Sequence, residues 1–119
     1  MKTHTLLTLV APRADGADPD IKHRLLFFEY GKGPNRLVEL DADGKVVWEF
    51  SAKDVPELKI TWVSIIQPLK NGNLLVGNFL RNQEGKGAHA FEVTREKKVV
   101  WKWDDHSIKS LTTVRALDE

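Results

Sequence analysis

The 119-residue chain contains no cysteine, one methionine and one tyrosine. Without cysteine there is no disulfide framework and no thiolate metal centre. Charge of one sign is also missing as a block. Eighteen basic and 17 acidic residues are spread along the chain to a net charge of +1, which gives no stripe suited to nucleic acid or an acidic membrane surface and no long-range steering field. No apolar run approaches the roughly 20 residues needed to cross a bilayer as a helix. No window holds a three-to-four periodicity with caps at its ends, so no helix is predicted. There is no nucleophile elbow, phosphate-cradling glycine loop or dinucleotide fingerprint. Gly31-Lys32-Gly33 joins two strands and opens no helix. His4, His23 and His89 have no metal-ligand spacing with each other or with a carboxylate pair.

What is present is a repeat. Lys45-Val46-Val47-Trp48-Glu49-Phe50 returns as Lys98-Val99-Val100-Trp101-Lys102-Trp103, a shift of 53 residues. Glu39-Leu40 lines up with Glu92-Val93, and Asp41-Ala42-Asp43-Gly44 with Thr94-Arg95-Glu96-Lys97. Repeats of this length mark solenoids, propellers and arrays. With 41% hydrophobic and 29% charged residues the chain has the profile of one soluble globular domain, long enough for a core.

Taken in order, Thr5–Val10 suits a strand. As a secretion signal the same stretch is short, interrupted by Thr8 and followed by Pro12-Arg13. Residues 11–20 carry loop chemistry; Asp15, Asp18 and Asp20 lack the glycine and closing glutamate of a calcium loop, and are read as solubilising. Arg24–Tyr30 is an apolar run whose length and phenylalanines favour a strand buried on both faces. Arg36–Asp41 and Lys45–Phe50 flank a tight turn at Asp43-Gly44, because glycine supplies positive φ cheaply. Val46, Trp48 and Phe50 are expected on one face of the returning strand, Val47 and Glu49 on the other. Ile60–Leu69 and Leu74–Phe79 flank Asn71-Gly72, the clearest hairpin signal in the chain. Ala88–Val93 and Lys98–Trp103 close the second copy, and Ile108–Leu117 is a last strand candidate.

The expected fold class is therefore all-β. It comprises two four-stranded antiparallel units, Thr5–Phe50 and Trp62–Trp103, plus an extra C-terminal strand, in one domain spanning residues 1–119.

Phe28-Glu29-Tyr30-Gly31 with Asn35–Glu39, Asp43–Phe50, and Pro68-Leu69-Lys70-Asn71-Gly72-Asn73-Leu74-Leu75-Val76-Gly77-Asn78 resembles blades of bacterial β-propellers, the group of pyrroloquinoline-quinone-like and arylsulfotransferase-like repeats. The resemblance covers most of Arg24–Glu119. It implies that the two units are blades and that Trp48 and Trp101 pack between blades. Members of the group are often periplasmic or extracellular. A ring needs at least about four blades and this chain supplies two, so blade edges and faces are left over. The expected partner is another copy of the chain, joined through blade edges and the C-terminal strand, the latter becoming the innermost strand of a neighbour's blade.

A non-catalytic binding or scaffolding module with no cofactor and no metal is the leading expectation. An arylsulfotransferase-like or quinoprotein-like enzyme with its site in the central channel is the alternative. The candidate site residues are Trp62, Arg81, Asp105, His106 and Arg115. Trp62 lies near the start of an innermost strand, where an exposed ring can stack on a ligand, although core packing is the favoured reading for it and for Trp103. His106 is the one residue carried over from the arylsulfotransferase-like propellers. Sulfuryl transfer would use it as nucleophile and would need a cation such as Arg81 or Arg115 to hold the sulfate. A solvated loop is the favoured reading for Asp104-Asp105-His106.

Overall fold

The computed structural model describes residues 23–31, 33–80, 86–108 and 111–117. Thr5–Val10, the aspartates of residues 11–20 and Arg81 lie outside the described residues. The described chain is all-β, with two antiparallel sheets of three and four strands. The first holds β1 (Leu25–Glu29), β2 (Arg36–Leu40) and β3 (Val46–Ser51) in that order. The second holds β4 (Val63–Pro68), β5 (Leu74–Asn78), β6 (Ala90–Val93) and β7 (Val99–Trp103), again in chain order. Each sheet is a meander of neighbouring strands, which suits the short hairpin links of the sequence.

The 53-residue repeat holds in the backbone. In the β2–β3 turn Asp41 N–H donates to Lys45 O (2.9 Å) and Gly44 N–H to Asp41 O (3.0 Å). In the β6–β7 turn Thr94 N–H donates to Lys98 O (2.8 Å) and Lys97 N–H to Thr94 O (2.9 Å). The first turn residue also caps each turn with its side chain. Asp41 Oδ1 accepts from Asp43 and Lys45 N–H, and Thr94 Oγ1 from Glu96 and Lys98 N–H. Gly44 and Lys97 hold the same left-handed position, at φ 85° and 70°. Both hairpins carry a register shift at the same place, after Glu39 and after Glu92.

Register decides which side chains meet. Leu26, Leu37, Trp48 and Phe50 share one face of the first sheet; Ile66, Leu74, Val76, Phe91 and Val93 share one face of the second. These two faces form a single core. Phe50 and Phe91 meet at its centre, ring centroids 6.1 Å apart, and Trp48 stacks beside Phe50. The connection between the sheets contributes Leu58 and Ile60, held by a 3₁₀ turn at Pro56–Leu58. Phe91→Ala is expected to cost about 3–5 kcal/mol, because it removes a fully buried ring and leaves a cavity. Val100→Ala, on a side chain that is 55% exposed, should stay within about 0.5 kcal/mol. Urea midpoints at an unchanged slope measure both. Equal midpoints for the two variants would show that the core is assigned to the wrong face.

Three expectations are corrected. Ile108–Leu117 is not a strand at its described residues. The chain there follows β4 through one side chain: Gln67 Oε1 accepts from Ala116 N–H (2.8 Å) and its Nε2 donates to Ala116 O (3.4 Å). That clasp satisfies the Ala116 N–H and carbonyl without a ladder, and Val114 lies over Gly77, where the missing Cβ makes room. Next, β1 is not buried on both faces: Leu26 is covered by the second sheet, while Leu25 and Phe27 on the other face are only half-buried. Finally, Val46 does not join Trp48 and Phe50 in the core, since the register shift turns the hairpin end outward and leaves it exposed.

Candidate functional site

Two places gather the candidate side chains. The first is an aromatic shelf where the sheets meet. Trp62, 37% exposed, sits just before β4, and Tyr30, 56% exposed, just after β1. Their rings meet edge-on at 4.9 Å, and Trp62 also meets Phe28 edge-on at 5.7 Å, the geometry preferred by aromatic quadrupoles. With Phe27, Ser64 and Ile65 they line a mainly apolar groove of about 410 Å³. Trp62 therefore has one surface packed and another open. Tyr30 and Phe28 were missed in the sequence because each looked like strand filling. The available signal was the position of Tyr30, outside the hairpin pairing and directly before Gly31.

The second place is the polar end of the second sheet. Asp105 and His106 come together there with His89, which is fully buried at the start of β6. The His89 and His106 rings are 5.0 Å apart, and Trp103 lies 5.5 Å from His89. His89 Nδ1 accepts from Asp105 N–H (3.2 Å), so its proton sits on Nε2, which is buried without a partner among the described residues. His106 Nε2 lies 3.1 Å from Gly87 O. A carbonyl only accepts, so that nitrogen is the donor. Asp104 Oδ1 is 3.8 Å away. The Asp105 carboxyl is held below its ordinary range by the Ser107 hydroxyl and then the Ser107 N–H. Exposed at the loop surface, it serves as a turn-former.

Arg115 is not part of this group. It lines a shallow groove with Thr113, Val114 and Ile65–Pro68. Among the described residues His106 pairs with no arginine or lysine, and no group of three histidines or carboxylates is arranged to hold a metal ion. Among the described residues His106 thus has a carbonyl on one nitrogen, a carboxylate nearby and no cation. Nucleophilic attack on a sulfate ester needs cationic groups around the transferred oxygens, and the described surroundings of His106 supply none.

One further charged group escaped the sequence reading. Glu39, 1% exposed, points into the core between the sheets, where Arg24 Nη1 meets its Oε2 (2.8 Å) and Arg95 Nη1 its Oε1 (2.5 Å). Arg95 also donates from Nε to Gly72 O (3.1 Å), lies over the Trp48 ring at 5.1 Å, and accepts the Trp48 indole N–H at its backbone oxygen (2.8 Å). One residue of the second hairpin turn thereby ties the two sheets together.

No protein-family model, curated protein or solved structure matches this chain.

Proposed function

We propose that this chain is a non-catalytic binding or scaffolding module built from propeller-type blades. One observation carries the reading. Two hairpins 53 residues apart share their turn hydrogen bonds, their left-handed position and their register shift. Such sheets are units that hide their apolar faces only by stacking. The first sheet shows three described strands, and the C-terminal segment is joined to β4 through Gln67 and Ala116. A neighbouring copy would join through sheet edges and the C-terminal segment. The aromatic shelf of Tyr30 and Trp62 is the binding surface of this reading, suited to a flat apolar or aromatic group.

An assay of sulfate transfer from an aryl donor to a phenol tests the absence of catalysis. The full chain is expected to show no turnover above buffer. Turnover in the wild type that disappears in His106→Ala would overturn the reading.

A further inference from the structure

The socket around Glu39 and Trp48 has a second copy with its far side open. At the 53-residue shift Glu39 becomes Glu92 and Trp48 becomes Trp101, opposite each other across β6 and β7 as the first pair is across β2 and β3. Glu39 takes one arginine from its own sheet, Arg24 at Oε2. Glu92 likewise takes a donor from its own sheet at Oε2, Asn73 Nδ2 at 2.8 Å. Arg24 and Asn73 each stand directly before the strand that pairs with the glutamate's strand. The remaining oxygen is where the copies part. Glu39 Oε1 meets Arg95, which comes from the neighbouring sheet. Glu92 Oε1 has no partner among the described residues, and neither does the Trp101 indole N–H. Trp48 is 8% exposed and Trp101 46%. On the same face Trp103 is exposed beside Trp101, whereas Leu75 and Ala90 are buried and the C-terminal segment covers the β4–β5 side through Gln67 and Val114.

Resting on the blade reading above, we infer that this outward face is a docking surface for a further sheet of the same repeat, one whose hairpin turn carries an arginine. The chemistry of the occupant is set by the inner copy of the socket. It brings a guanidinium to Glu92 Oε1 and over the Trp101 ring, and a backbone carbonyl to the Trp101 indole N–H. A second unmodified copy of this chain does not supply the charge. Its first hairpin has Ala42 where the second has Arg95, between Asp41 and Asp43. Those carboxylates would approach Glu92 with no cation between them.

Ala42→Arg turns the chain into such an arginine donor, and sedimentation equilibrium over a micromolar concentration series reads the result. Ala42 and Trp101 are both exposed, so circular dichroism melts should show the fold intact. Self-association of Ala42→Arg is expected to be at least about tenfold tighter than that of the wild type, the scale of a close charge pair at an interface. Adding Glu92→Gln or Trp101→Ala should return the constant to within about threefold of the wild type. No gain in Ala42→Arg, or a gain that survives Glu92→Gln, overturns the inference. A wild type that already associates as tightly as Ala42→Arg overturns the arginine requirement and names an ordinary second copy as the occupant. The sulfate-transfer assay reads independently. A chain that gains nothing from Ala42→Arg and shows no turnover loses only the docking surface, whereas one that gains as expected and turns over loses only the non-catalytic reading.

Discussion

Glu39→Ala is expected to destabilise the protein by about 3–5 kcal/mol, the usual cost of breaking a buried ion pair by removing one partner. The carboxylate is 1% exposed, and its two arginines are 11% and 12% exposed. Removing it leaves two guanidiniums facing each other in the space between the sheets. Against a typical total of about 5–15 kcal/mol, that is a large share of the stability. Arg36→Ala is the control. Arg36 bridges Glu29 and Glu49 on the outer face, where the side chains are 28–46% exposed. Hydrogen bonds to Glu29 and then Glu49 hold its guanidinium pKa above the ordinary value, but solvent screens the pair and the substitution should cost at most about 1 kcal/mol. Urea unfolding measures both. If Glu39→Ala costs no more than Arg36→Ala, the buried triad does not hold the sheets together.

Asn78→Ala is expected to cost about 3 kcal/mol or more, since each buried group that loses its partner costs about 1–3 kcal/mol. The side chain is fully buried at the end of β5. Its Nδ2 lies within hydrogen-bond distance of Leu58 O (3.2 Å), Lys59 O (3.1 Å) and Ala88 O (3.0 Å), and its Oδ1 accepts from Thr61 N–H (3.1 Å). One amide thus pins the connection between the sheets to the strand beneath it. Asn78→Asp should be no better, because it keeps the acceptor, loses both donors and buries a charge. Amide exchange at Thr61 is expected to accelerate in either variant before the core strands respond. A cost below about 1 kcal/mol would mean that water replaces the amide.

The hairpins were legible because their information is local. Asp43-Gly44 and Asn71-Gly72 announce turns, and alternation on both sides places the strands. The Trp repeat revealed that the second half echoes the first. What escaped is non-local. Glu39 looks like a surface residue of β2, yet it shares the core face with Leu37. Arg24 and Arg95, 15 and 56 residues away, make that burial tolerable. Asn78 likewise reads as the polar end of a strand, and its four partners lie in the connection between the sheets and just before β6. The C-terminal segment has strand composition, but a Gln67 clasp took the place of a ladder. His106 was legible as a candidate; what the sequence could not show is that its Nε2 is committed to Gly87.

The lysine at φ 70° has a consequence for how such chains diverge. Its sister position is a glycine, the residue that normally licenses this conformation, yet the two loops have one shape because a side-chain oxygen at the first loop position, from Asp41 or Thr94, gathers the amides. Curvature enforced by a cap releases the glycine to mutate. Related loops are then better sought by an aspartate or threonine preceding the bend than by the Asp-Gly pair, and further members of the series can drift beyond recognition at the tip while keeping their trace.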